Sequence, residues 1–221
     1  MKKLLGILAI SALAASAFAQ GTVTFQNQTG RIQQWTSTTV NTLVYGTAGN
    51  AMVELIAAPA GTALNNPLSG SLTPLGAFLN YSTLGAFLGA NPLWTIPTGI
   101  GSNPGGVQGT AGVFNDGILS IAGVAGGANA VYAVIGWTGT YATLDAAITA
   151  AMINNANSFI GISGVFTTAT GDPTTPIPGL PVSLKSTFTG LVLAPVYIPE
   201  PATFALAGLG LAALLMFRRR N

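Results

Sequence analysis

From residue 20 onward, apolar and polar positions first alternate with a period of two. Thr22-Val23-Thr24-Phe25-Gln26 places Val23 and Phe25 on one face, the signature of a half-buried strand. Between Ala51 and Ala57, Met52, Glu54 and Ile56 fall on one side, with Val53 and Leu55 on the other. That leaves Glu54 facing solvent on an edge. Further β-rich runs lie at Val131 to Trp137, Phe159 to Thr167 and Phe188 to Leu193. Leu119 to Val124 is a weaker candidate because a glycine interrupts it, and Leu193 to Ile198 reads as the strand by which the chain leaves the domain. Gly126-Gly127, Asp172-Pro173 and the prolines from Pro176 to Pro181 punctuate these runs. Asn115-Asp116-Gly117, set between apolar stretches, predicts a hairpin turn. Strands that follow one another through turns predict a mainly β fold, an antiparallel β-sandwich, rather than alternating β and α units.

The period changes to that of a helix once. Leu144, Ala147, Ile148, Ala151 and Met152 form a stripe within the alanine-rich segment Leu144 to Asn154. Thr143 is placed to cap it, and Asp145 sits in the first turn, where the helix dipole favours a negative charge. One short helix crossing over an end of the sheets is expected, with a partner-binding helix as the alternative. Leu75-Gly76-Ala77-Phe78-Leu79 recurs as Leu84-Gly85-Ala86-Phe87-Leu88; two copies fall short of a solenoid, so the echo predicts two similar local structures, strands or short helices. The glycine-rich segment Pro97 to Gly112 predicts a long surface loop.

The two ends are patterned differently. Met1-Lys2-Lys3 is basic, Leu4 to Ala15 is apolar, and Ala17-Phe18-Ala19 is a small-x-small site. Together they make a signal peptide over 1–19, cut by signal peptidase between Ala19 and Gln20. At the other end Ala202 to Phe217 carries neither charge nor proline, and its leucines with Met216 favour a helix. Sixteen helical residues span roughly 24 Å, a little short of a hydrocarbon core of about 30 Å. Tyr197 and the stems of Arg218, Arg219 and Arg220 extend that reach. A run of this length also suits a buried core helix, but the basic cluster that closes it favours a membrane stop, with the arginines in the cytoplasm and the domain outside. The chain then divides into the signal peptide (1–19), a secreted β domain (20–196) and a C-terminal segment (197–221) containing a transmembrane helix at 202–217.

Charge is informative once the ends are set aside. The whole chain carries +2, yet between Gln20 and Ile198 only Arg31 and Lys185 oppose Glu54, Asp116, Asp145 and Asp172, a net −2. No basic cluster is left to displace counterions from a nucleic acid, and nucleic-acid binding is excluded. Cysteine and histidine are both absent, which removes thiolate and imidazole metal sites, haem ligation and Cys- or Ser-His catalysis in their usual forms. No metal, cofactor or catalytic residue is assigned. A glycosidase would need two carboxylates facing one another, and the spacing of the four proposes no pair. Trp35, Trp94 and Trp137 with Tyr45, Tyr81, Tyr132 and Tyr141 offer either core packing or flat faces for sugars. Trp35, amid Gln33, Gln34, Thr36 and Ser37, is the candidate for an exposed stacking face. Asn27-Gln28-Thr29 and Asn80-Tyr81-Ser82 match the glycan acceptor pattern, a match common by chance.

Pro199-Glu200-Pro201, then Ala202-Thr203, the apolar helix and the three terminal arginines, in that order, resemble the PEP-CTERM sorting signal of Gram-negative bacteria. The resemblance covers about the last tenth of the chain. It implies that an exosortase, a membrane protease-transpeptidase, cleaves near Pro199-Glu200-Pro201, so that an inner-membrane-anchored precursor passes on to the cell surface or extracellular matrix. Gln20-Gly21-Thr22-Val23-Thr24-Phe25-Gln26-Asn27 is similar to the mature start of many such proteins in planctomycete and verrucomicrobial lineages, which implies a secreted β domain of unknown role. The expectation is an exported, non-enzymatic surface or matrix protein, with extracellular polysaccharide as a possible neighbour. Its alternatives are a carbohydrate-binding module using Trp35 and a hydrolase using Glu54 with Asp116.

Overall fold

The computed structural model describes residues 20–36, 43–46, 50–65, 77–78, 80–138, 141–153, 158–173 and 179–197. The expected signal peptide with Ala17 and Ala19, the motif Pro199-Glu200-Pro201, the helix at 202–217 and Arg218 to Arg220 lie outside these residues. Along the chain come β1 (Gln20–Gln26), β2 (Ile32–Trp35), β3 (Leu43–Tyr45), β4 (Ala51–Pro59), β5 (Ala77–Phe78), α1 (Leu84–Ala90), β6 (Thr98–Gly99), β7 (Gly105–Gly106), β8 (Asn115–Ala125) and β9 (Asn129–Thr138). They are followed by α2 (Leu144–Met152), β10 (Phe159–Ile162), β11 (Phe166–Ala169), β12 (Val182–Ser183) and β13 (Leu191–Tyr197).

The strands form two sheets. A four-stranded sheet runs β12-β1-β8-β6, and a nine-stranded sheet runs β3-β2-β13-β10-β9-β4-β7, with β11 beside β9 and β5 beside β13. The expected purely antiparallel arrangement is corrected: β1 pairs β12, β13 pairs β2 and β13 pairs β5 in parallel. These exceptions arise where strands distant in sequence become neighbours, since only strands joined by a tight turn must be antiparallel.

Alternation accounts for the core between the sheets. Val23 and Phe25 of β1 and Leu119 and Ile121 of β8 pack with Val53 and Leu55 of β4, Tyr132 and Val134 of β9, and Leu191 and Leu193 of β13. An aromatic chain ties this core together: Phe25 to Phe114, Phe114 to Phe188, Phe188 to Phe166 and Phe166 to Tyr132 have centroids 4.7, 5.9, 6.0 and 5.7 Å apart. The opposite face of the large sheet is also buried. Ile56, Val131, Ala133, Ile135, Trp137 and Ile160 pack there against Phe87 of α1 and Leu144, Ala147, Ile148 and Ala151 of α2. β4 and β9 therefore read as near-continuous apolar runs because they are covered on both faces.

Several local expectations are revised by this second core. Two helices are present among the described residues, not one, and they cover a sheet face rather than an end. α2 begins as expected, with Thr143 Oγ1 accepting from the Ala146 N–H at 3.3 Å, but Met152 is half exposed and Ala150 is buried in its stead. The repeated pentapeptide adopts two structures. The first copy contributes β5 and the second α1, where Thr83 caps by accepting from the Ala86 N–H at 3.1 Å. The run Phe159 to Thr167 is two strands, because Ser163 interrupts the ladder: the Val134 N–H donates to its hydroxyl at 2.9 Å.

Asn115-Asp116-Gly117 is no hairpin turn. It begins the long strand β8, and the register against β1 shifts there, with Gly117 at φ +90°, as in a β-bulge. The segment Pro97 to Gly112 is not a free surface loop either. It supplies β6 and β7, and Asn103 caps the edge of β4: its amide oxygen accepts from the Leu55 N–H at 2.8 Å and its amide nitrogen donates to the Leu55 carbonyl at 3.0 Å. Phe188 is a core residue that precedes β13 rather than joining it.

Phe114→Ala, which removes the ring linking Phe25 to Phe188, is expected to cost about 3–5 kcal/mol. Thr143→Ala, which removes only a helix cap, is expected to cost about 1 kcal/mol. Chemical denaturation of the two variants measures the difference.

Candidate functional site

β13 is the last strand of the domain and lies inside the large sheet. Leu191, Val192 and Leu193 pair with Ile32, Gln33 and Gln34 of β2, while Ala194 and Pro195 stand opposite Ile160 and Phe159 of β10. Beyond these, Val196 and Tyr197 pair with Ala77 and Phe78 of β5. Tyr197, expected as a flank of the membrane segment, is thus still part of the sheet. The Phe159 N–H donates to Thr138 Oγ1 at 2.8 Å, and the Phe159 carbonyl accepts from the same hydroxyl at 3.3 Å. The backbone groups of Phe159 accordingly face β9, and its pairing with Pro195 exchanges no N–H···O bond. The position lacking an N–H in Pro195 then faces the β2 side of β13, past Leu193, the last residue there with a β2 partner. Proline is tolerated at such a place and nowhere in a continuous central ladder. An isolated Pro in a strand-like run was the signal for this junction.

The other end of the described domain begins at the expected signal cleavage site. Gln20, the residue after the expected signal cleavage, is the first residue of β1 and pairs with Ala125. Ala17 and Ala19 before it, and Pro199, Glu200, Pro201, Arg218, Arg219 and Arg220 beyond β13, lie outside the described residues.

The three tryptophans are internal. Trp35 is 4% exposed and belongs to the core between the sheets, which corrects its assignment as an exposed stacking face. Gln33 and Gln34 before it are backbone-paired strand residues, and β2 turns Trp35 inward. Trp94 and Trp137 are buried with their indole N–H groups donating to the carbonyls of Ala63 and Tyr141 at 3.1 and 2.8 Å. Tyr132 is fully buried and Tyr81 packs edge-on to Phe87. Tyr45 is exposed, but Arg31 lies over its ring at 5.6 Å. Asn27 is also internal: its amide donates to the carbonyls of Gly30 and Gly112 at 2.6 and 2.8 Å and accepts from the Phe114 N–H at 2.7 Å. Such an asparagine joins segments of the fold and is no glycan acceptor; Asn80 is exposed.

The carboxylates do not converge. Glu54 is 5% exposed, against its expected solvent-facing position, because helices cover that face of β4. Burial, and secondarily the negative charge of Asp145, push its pKa up to about 7. Asp145 Oδ1 accepts from the Leu84 N–H at 2.7 Å, so it also satisfies the first turn of α1. Asp116 is 8% exposed and lies against β7, where a Cβ on Gly105 would collide with its carboxyl group. Gly105 is the partner of inward-facing Val53, which places Asp116 between the sheets and Glu54 on the far side of the large one. Burial raises Asp116 to a pKa of about 6, opposed by the Gly106 N–H, which donates to Oδ1 at 3.2 Å, and by the Gln108 side chain. Glu54 and Asp116 are separated by a sheet and cannot flank one bond, which removes the hydrolase pair. Among the described residues no cluster of three or more acidic, His or Cys side chains could hold a metal ion, and no helix is long and apolar enough to cross a membrane.

Residues 198–220 match the family described as PEP-CTERM protein-sorting motif. No curated protein and no solved structure matches the chain. A motif of this kind marks an exported protein whose membrane-anchored precursor is processed by an exosortase, itself a membrane protein. In this chain it starts at the residue immediately after β13.

Both buried carboxyls have folded pKa values above their ordinary ones, 4.5 rising to about 7 for Glu54 and 3.8 rising to about 6 for Asp116. The folded state therefore holds the proton more tightly, and stability falls as pH rises through each of those windows. Glu54→Gln is expected to leave stability nearly unchanged near pH 4 and to raise it by about 2–3 kcal/mol near pH 8. Denaturation midpoints across that range check the flattened profile; a Glu54→Gln variant that loses stability equally at both ends contradicts the assignment.

Proposed function

We propose that the chain is the precursor of a non-enzymatic surface or matrix protein, carried out by its signal peptide and held in the inner membrane by the helix at 202–217. Arg218, Arg219 and Arg220 stay in the cytoplasm, and cleavage near Pro199-Glu200-Pro201 frees the β domain for the cell surface or the extracellular matrix. The observation that carries this reading is the sorting motif at 198–220 joined directly to a β domain. The internal placement of the carboxylates supports a structural rather than catalytic role, and the low charge of the domain suits a matrix in which neutral polysaccharide is the neighbour. The carbohydrate-binding alternative rested on Trp35 and loses its residue. The likeness of the Gln20 start to planctomycete and verrucomicrobial proteins is not needed by this reading.

Replacing Pro199, Glu200 and Pro201 together by alanine is expected to leave the full-length precursor in the membrane fraction and to deplete the protein outside the cell. Immunoblots of the two fractions read the outcome, and an unchanged distribution contradicts the proposal.

A further inference from the structure

The sorting motif leaves its enzyme little room. Tyr197 is still paired in the sheet, and the two residues from there to Pro199 reach at most about 7 Å. That is less than the roughly 10 Å thickness of one packed sheet layer, so an enzyme that grips Pro199 is already against the end of the domain. An enzyme that acts on a peptide bond takes its substrate extended, with the main chain free to pair with the enzyme. The residues on the N-terminal side of the motif are Pro195, Val196, Tyr197 and Ile198, and Val196 and Tyr197 are occupied by β5.

We infer that Val196 and Tyr197 are a releasable part of the exosortase substrate, clamped by β5 in the resting precursor, with Pro195 as the break that lets them detach while the rest of β13 stays in place. The inference rests on the exosortase reading above and names further residues that determine whether that processing occurs. Three features of β13 fit such a division. Leu191 to Leu193 are paired with β2 and, through Leu191, Leu193 and Ala194, buried in the core; pulling on the C-terminal end does not reach them first. Among the described residues the clamp is Ala77 and Phe78, and it pairs β13 further along the strand than the last β2 partner. Pro195, buried at the boundary, has no N–H to donate on the side of β13 away from β10. On the opposite side, the β10 pairing ends at Phe159 opposite Pro195, so Val196 and Tyr197 have no further β10 partner among the described residues. Among the described residues, β13 pairs only with β5 beyond the proline.

The full-length precursor, followed by pulse-chase in the native host, tests this. Ala77→Pro removes one backbone donor from the clamp and is expected to speed conversion to the shortened form by about fivefold, the size given by roughly one net hydrogen bond. Pro195→Val restores an N–H on the side of β13 away from β10 and is expected to slow it. A Gly-Ser insertion of about six residues between Tyr197 and Ile198 adds roughly 20 Å of reach; it is expected to speed conversion and to abolish the effect of Ala77→Pro. Resistance of the domain to added protease shows that each variant is folded, and the insertion, which touches no core residue, reads the inference even where a substitution does not fold. Shortening at one rate in wild type, the clamp variant and the insertion overturns the inference alone. A wild-type precursor that is never shortened near Pro199 overturns the exosortase reading and the inference with it.

Discussion

The pairing of β13 inside the large sheet is the constraint on which the rest of the molecule depends. A C-terminal strand at a sheet edge could be drawn away with little consequence. This one has β2 on one side and β10 on the other, and it contributes Leu191, Leu193 and Ala194 to the core between the sheets. The fold is therefore incomplete until the residues next to the sorting motif are in place. Export, folding and processing meet within a few residues of Pro195. The proline separates a segment that must remain in the sheet from one that leads into the membrane.

A second constraint is the covering of both faces of β4 and β9. The small sheet lies on one face and the two helices on the other, so strands that look two-sided in pattern have no solvent face. Glu54 is the residue that bears the consequence. Its place in the alternation is that of a polar outward position, but the face it occupies is apolar and roofed by α1 and α2, and its carboxyl is driven toward the neutral form. Asp145 adds to that effect while bonding the first turn of α1. Asp116 is held separately between the sheets against two glycines of β7. Both carboxyls are products of how layers stack, which sets them on opposite sides of the large sheet.

Much of the β content was legible from period and punctuation. Val23 and Phe25 point inward as their alternation demands, the Gly126-Gly127 turn joins β8 to β9, and Thr143 opens α2. What was not legible depended on long-range partners. α1 repeats a pentapeptide whose first copy supplies the strand residues Ala77 and Phe78, and α1 opens on Thr83, a cap that acts only once the segment has a sheet face to cover. Asn115-Asp116-Gly117 has the composition of a turn, but pairing with β1 turns it into a bulge. Trp35 sits among glutamines, yet the inward face of β2 is decided by β13, a strand over 150 residues further along the chain. The C-terminal address was the most legible part, because its motif, apolar and basic blocks act through composition and order and need no tertiary partner.

The most direct test is the mass of the mature protein's two ends, taken from membrane and extracellular fractions of the native host. The account predicts an N-terminus at Gln20 and a C-terminus near Pro199-Glu200-Pro201, with β13 retained whole and the apolar run from Ala202 absent. An extracellular protein that keeps Ala202 to Asn221, or one cut upstream of Leu191, would contradict it.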